Sequence, residues 1–418
     1  MLIANSKAVA SHYPLDLKHV MNRERAEESL AWLSHWSELC AQPTPLHELP
    51  DLAESLGIAR LSVKDESVRS PLGSFKALGA PIALIRLILR RWPEQQFSTA
   101  GLITGQYSEQ LKDYTVISAT DGNHGRALAA AARSIGCQCV IVLHANVSHE
   151  REAAIAVYGA KIARIAGNYD ESVAEAARVA AANGWDVVSD TSYEGYQEIP
   201  RDVMQGYGAI AAEVLAQNPL SESHSAPYTH VFLQGGVGGL AAGIISYFWE
   251  AHGAHRPQFV VVEPEQADCL FQSARLGQPA RASGSVDSVM AGLACGEASP
   301  LAWKFLHGSV DYFMTIQDDD AVHVMRMLAK PSGSRDVPIV SGESGVAGLA
   351  GLIALSKHPE GKTLLRKIGF NASSRVLVVS TEGATAPMAY QELVGVSADF
   401  VLQAQREWFA RNTENVPL

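Results

Sequence analysis

Val116-Ile117-Ser118-Ala119-Thr120-Asp121-Gly122-Asn123-His124-Gly125 reads as a short strand, a polar loop and the opening of a helix. The same alternation continues outward from it. The pattern predicts a helix over 125–135, a strand over 140–143, a helix over 149–158 and a strand over 161–165. An alanine-rich helix over 170–183 and a fourth strand over 186–189 follow. Four short buried strands with intervening helices predict a parallel sheet covered on both faces. A second series follows, with strands over 229–233, 258–262, 312–316 and 376–379 and helices over 240–251, 319–329 and 345–356. The first hundred residues, with Leu61-Ser62-Val63-Lys64 as a strand, are expected to pack with this second half. The fold class is therefore α/β with two domains, each a parallel-type sheet flanked by helices. Residues 1–110 plus 216–418 form the larger domain, and 111–215 form a smaller inserted one. The polar stretches 93–114 and 218–228 are candidate crossings.

The chain of 418 residues, 47% of them hydrophobic, is long enough for two or three domains with sizeable cores. Its net charge of −11, from 44 acidic and 33 basic residues, argues against nucleic acid as a partner. No apolar stretch is long enough for a membrane span, and the first fourteen residues lack the apolar core of a secretory signal. The expectation is a soluble cytoplasmic protein. Five cysteines, an odd number, do not form a disulfide framework. Cys137 and Cys139 share one face of a strand and read as core. Whether Cys269 and Cys295 pair is left open. No zinc-ligand spacing is present, so no metal is expected.

Three motifs carry chemistry. Ser70-Pro71-Leu72-Gly73-Ser74-Phe75-Lys76 places one lysine after a tight turn and before the apolar residues 77–82. Apolar surroundings lower a lysine's pKa by desolvation. A neutral amine attacks aldehydes, which is how Schiff-base enzymes hold pyridoxal phosphate. Gln234-Gly235-Gly236-Val237-Gly238-Gly239 follows a strand and opens a helix. Its glycines allow a tight turn that brings backbone N–H groups to an anion, and the helix terminus adds partial positive charge. Gly236-x-Gly238-x-x-Ala241, with Glu263 closing the next strand, also fits a dinucleotide fingerprint. The third motif is the 120–125 loop. Asn123 offers donor and acceptor groups, Asp121 is an acid beside backbone amides or a helix cap, and His124 reads as structural. A second acidic loop, Ser189-Asp190-Thr191, belongs at the same end of the same sheet. Two carboxylates near one cleft suit a cationic substrate or acid–base work.

In chain order, Ser74-Phe75-Lys76, Asp121-Gly122-Asn123-His124-Gly125, the 234–239 loop and Ser380-Thr381-Glu382-Gly383 resemble the fold-type II pyridoxal-phosphate enzymes. These include threonine dehydratase and cysteine synthase. The resemblance covers nearly the whole chain. Asp121 stands where most of those enzymes have serine, and the Asp190 loop is an addition. With Met290-Ala291-Gly292-Leu293-Ala294-Cys295-Gly296 and Ser341-Gly342-Glu343-Ser344-Gly345, these departures are similar to the diaminopropionate ammonia-lyase family.

The resemblance implies that Lys76 carries the cofactor, with Phe75 beside it. Gly235, Gly236, Val237, Gly238 and Gly239 would hold the phosphate, Asn123 would bind the ring hydroxyl, and Ser380 or Thr381 would meet the pyridine nitrogen. A neutral hydroxyl there suits β-elimination over transamination. It further implies that Lys76 takes the Cα proton from L-2,3-diaminopropionate and Asp121 takes it from the D-isomer. Asp190 would orient the leaving ammonium, and the products would be pyruvate and two ammonia. A homodimer is implied too. A serine or threonine dehydratase remains an alternative on the same fold. A nicotinamide dehydrogenase would explain Glu263 but leaves Lys76 without a role.

Overall fold

The computed structural model describes residues 1–120, 122–145, 147–167, 169–218 and 226–413. Its strands are β1 (Leu2–Ala4), β2 (Leu46–Glu48), β3 (Arg60–Asp65), β4 (Thr115–Ala119), β5 (Gln138–Leu143), β6 (Lys161–Arg164), β7 (Asp186–Val187), β8 (His230–Gln234), β9 (Gln258–Pro264), β10 (Tyr312–Ile316) and β11 (Arg375–Ser380). They form a seven-stranded sheet in the order β1-β10-β9-β8-β11-β3-β2 and a four-stranded sheet in the order β6-β5-β4-β7. The small sheet is parallel throughout. In the large sheet only the edge strands β1 and β2 run antiparallel.

The interior strands β8, β9 and β11 are apolar along nearly their whole length and buried on both faces, as helices on both sides of a parallel sheet require. The small sheet departs from this. The sequence predicts four buried strands, but β6 lies at an edge and is largely exposed, and β7 has only two half-buried residues. The apolar alternation there reflects one covered face.

Strand order positions the site. From β8 the chain moves to β9 and β10 on one side, then returns to β11 on the other. From β4 it moves to β5 and β6, then returns to β7 on the opposite side. Each sheet therefore has a switch point, where loops diverge at the carboxyl ends of neighbouring strands and leave a crevice for ligands. The loops leaving β8 and β11 carry residues 235–239 and 381–383. The chain leaves β4 at Thr120, and the loop leaving β7 carries residues 188–195.

The helix Glu198–Gln217, which the sequence reading does not single out, packs on the helices Gly239–His252, Arg23–Leu33 and Ala80–Arg91. It is tied to β3 by a buried ionic cluster. Arg69 makes two bonds of 2.7 Å to Glu213 and two of 2.8 Å to Glu66, and Lys64 Nζ reaches Glu213 at 2.7 Å. Lys64, Glu66 and Arg69 are wholly buried. Paired and hydrogen-bonded charges of this kind fix one arrangement of the elements that carry them. Here they anchor the turn that leads into Lys76. No helix among the described residues is long and apolar enough to cross a membrane.

Candidate active site

Lys76 lies on a single 3₁₀ turn, Phe75–Leu78. The segment before it is fastened to the strand end after β11. Phe75 N–H donates to Thr381 O at 3.0 Å, Gly383 N–H donates to Gly73 O at 2.9 Å, and Ser74 pairs with Glu382 as an isolated bridge. Lys76 Nζ donates to Asp190 Oδ2 at 2.5 Å and sits 5.1 Å from the Phe75 ring centre and 5.6 Å from that of Tyr207.

This pairing overturns the expected depression of the lysine pKa. Burial, the largest single effect, acts to lower it, but Asp190 together with the smaller effects of Tyr207 and Cys295 outweighs burial and holds the ammonium above the ordinary lysine range. Burial acts to raise Asp190, yet the Lys76 ammonium, through its charge and its hydrogen bond, holds the carboxyl well below the usual range. His124 Nε2–H donates to Val188 O at 3.0 Å, with Nδ1 3.9 Å from Asp190. Burial lowers the His124 pKa, which favours the neutral ring.

The glycine loop adjoins this pair. A Cβ built on Gly239 would lie 3.9 Å from Asp190 O, and one built on Gly236 would lie 3.7 Å from Cys295 Sγ. Gly236 and Gly238 have φ of 60° and 98°, the left-handed region that glycine occupies at little cost. Among the described residues, no acceptor takes the N–H of Gly236 or Gly239. Val237 N–H is directed at Cys295. Amides left free at the start of a 14-residue helix could hold an anion such as a phosphate. Cys269 and Cys295 are free thiols on either side of Gly236.

Glu263 is no ribose ligand. It is fully buried beneath Gly235 and accepts N–H bonds from Leu270 at 2.9 Å and Phe271 at 2.7 Å. Burial pushes its carboxyl up to about 8. This removes the acid on which the dinucleotide alternative depends.

Asn123 opens the helix Asn123–Ile135 and donates through Nδ2 to Glu382 Oε2. Glu382 also accepts from Ser344 N–H at 3.2 Å. Burial and the neighbouring Glu382 push Glu343 up to about 7, and burial likewise raises Glu382. Both acids lie within motifs singled out in the sequence, but pattern alone assigns them no role. Ser380 Oγ donates to Ser341 Oγ at 2.7 Å, and both serines are buried. Thr381 is buried beside them. Asp121 lies outside the described residues.

Tyr207 is the site neighbour that the sequence reading misses. Its signal is the spacing of Ile199, Val203, Met204, Tyr207, Ile210, Ala211 and Val214, the apolar stripe of a helix.

A buried lysine at the cleft, free backbone amides at a helix start and neutral hydroxyls at a strand end fit pyridoxal phosphate. On two switch-point sheets they define a fold-type II pyridoxal-phosphate enzyme. The pyridoxal-phosphate dependent enzyme family model matches residues 38–381. Diaminopropionate ammonia-lyase of Escherichia coli (strain K12) is 38% identical over 375 residues, 88% of this chain and 92% of that protein. The Salmonella typhimurium enzyme of the same name is 38% identical over 355 residues, 84% of this chain and 87% of that protein. The crystal structure of the Escherichia coli enzyme with an aminoacrylate-PLP azomethine reaction intermediate is similar at a TM-score of 0.83 and 35% identity. That match covers 94% of this chain and 96% of that one. The chain belongs to the pyridoxal-phosphate dependent enzymes and, within them, to the diaminopropionate ammonia-lyase family.

Proposed function

We propose that this chain catalyses β-elimination of 2,3-diaminopropionate, giving pyruvate and two ammonia. The observation that carries the reading is the meeting of Lys76, Asp190 and the glycine loop at the two switch points. Pyridoxal phosphate, when bound, supplies the electron sink that acidifies the substrate Cα–H. Lys76 would hold it, with residues 235–239 on its phosphate, Asn123 at the ring hydroxyl, Phe75 beside it, and Ser380 or Thr381 at the ring nitrogen.

Lys76 takes the Cα proton of the L-isomer, and Asp121 is assigned that of the D-isomer. Asp190 holds the β-ammonium, because an amine leaves far more readily when protonated. A carboxylate buried in the cleft and able to pair with a cation, as it does with Lys76 Nζ, suits that task. Asn123, fixed by Glu382, keeps a constant orientation toward the cleft. The enzyme is proposed to act in the cytoplasm as a homodimer, which sedimentation would test.

The test is an absorbance spectrum of the purified protein, followed by addition of each isomer with pyruvate detection. A band near ~410 nm, typical of lysine-bound pyridoxal, with pyruvate from both isomers, is the expected result. Turnover confined to serine or threonine would move the enzyme to the dehydratases.

A further inference from the structure

Tyr207 lies against the Lys76–Asp190 pair but holds none of the binding or proton-transfer roles proposed above. It is 2% exposed, and its hydroxyl makes no hydrogen bond of full geometry among the described residues, although Lys76 Nζ lies near enough to act on it as a donor. Its ring meets that of Phe75 edge-on, with centres 4.7 Å apart. Burial raises its pKa above the ordinary tyrosine range, while the opposite charges of Lys76 and Asp190 both act on the hydroxyl. The phenol is therefore neutral.

Two glycines, Gly79 and Gly243, seat this side chain, and a third, Gly206, lets its helix approach the Lys76 turn. A Cβ built on Gly79 would fall 2.6 Å from Tyr207 Cε1 and 2.8 Å from Cζ. One on Gly206 would fall 2.0 Å from Leu78 O, and one on Gly243 would fall 3.0 Å from Tyr207 Cβ. The helix carrying Tyr207 thus closes directly onto the turn carrying Lys76. Packing alone does not explain the hydroxyl. Phenylalanine would fill the same space without burying a hydroxyl, which is unfavourable unless its neighbours Lys76 and Asp190 use it.

A neutral phenol donates one hydrogen bond and accepts others. Lys76 is a donor and Asp190 an acceptor, so the two neighbours match both capacities. We propose that Tyr207 is a positioning residue for Lys76. Its hydroxyl accepts a hydrogen bond from Nζ and donates one to Asp190, keeping Nζ aimed at the reacting carbon while that nitrogen is a free amine. The Cα proton ends on Lys76 Nζ, and Tyr207 neither gains nor loses one. The proposal rests on the reading of Lys76 as the cofactor lysine and the base for the L-isomer.

Tyr207→Phe tests it, since the ring contact with Phe75 is retained. The thermal midpoint should match the parent. Cofactor-stripped protein should rebuild the ~410 nm band about tenfold more slowly on addition of pyridoxal phosphate, the loss expected for one hydrogen bond. In the holoenzyme, kcat on the L-isomer should fall about tenfold with KM unchanged, and the D-isomer should be affected much less. Capture of the cofactor at the parental rate overturns the proposal, as does slow capture with a lowered midpoint. If the parent turns over neither isomer, the reaction assignment fails while the capture rate still decides the role of Tyr207.

Discussion

Lys76 Nζ and Asp190 Oδ2, from residues 114 positions apart in the chain, meet at 2.5 Å. The contact joins the turn after β3 of the large sheet to the loop after β7 of the small one. It governs the charge of both groups.

Asp190→Asn removes the charge that opposes burial, so the Lys76 pKa should fall below its ordinary value. Cofactor capture at neutral pH should then speed up, followed at ~410 nm. The preference for diaminopropionate over serine should drop by an order of magnitude or more, about the worth of a hydrogen bond to a charged group. Lys76→Ala should abolish the band.

Asn123→Ala deprives the buried Glu382 of a donor. Its cost should be about 1–3 kcal/mol, read as weaker cofactor binding by absorbance titration and as a lower denaturant midpoint.

Gly235→Ala would place a Cβ 2.3 Å from Glu263 Cγ. The loop must shift, at about 1–3 kcal/mol. Pyridoxal phosphate affinity should fall about tenfold or more while circular dichroism stays parental.

Glu263 makes stability depend on pH. Its folded pKa of about 8 lies above the ordinary 4.5. Between these values the folded state holds a proton that the unfolded state has released, so stability falls as pH rises through this window. Glu263→Gln should flatten thermal midpoints measured from pH ~5 to ~8.5 relative to the parent.

Glu213→Ala should cost about 3–5 kcal/mol, because Arg69 and Lys64 remain buried without it. Glu213 also has a depressed pKa, the attractions of Arg69 and Lys64 overcoming burial. Its contribution is present above its unfolded pKa and is lost as pH falls through the folded one. Urea unfolding at neutral and acid pH would measure both effects.

Strands such as β8 and β11 are legible in the sequence because burial on both faces leaves an unbroken apolar run. The glycine loop is legible because left-handed φ at Gly236 and Gly238 restricts those positions strongly. The state of Lys76 is not legible. Its apolar neighbours 77–82 suggest a depressed pKa, but the deciding group is 114 residues away. Glu263 misleads for a related reason. At a strand end after a glycine loop, an acid can face a ligand or turn under the loop to meet Leu270 and Phe271, and local pattern is the same for both. Tyr207 escapes notice because one polar atom on an apolar helical stripe leaves no local mark. Its meaning arises only where Gly206 closes on Leu78.

The switch-point order has a practical side. All the reactive loops leave the carboxyl ends of strands, so the amino-end connections are free of chemistry. Gly159, before β6, and Gly184, before β7, have open space around any added Cβ. Those turns are natural places for a tag, a reporter insertion or new chain ends, whereas a cut near 122 or 236 would sever the catalytic cleft.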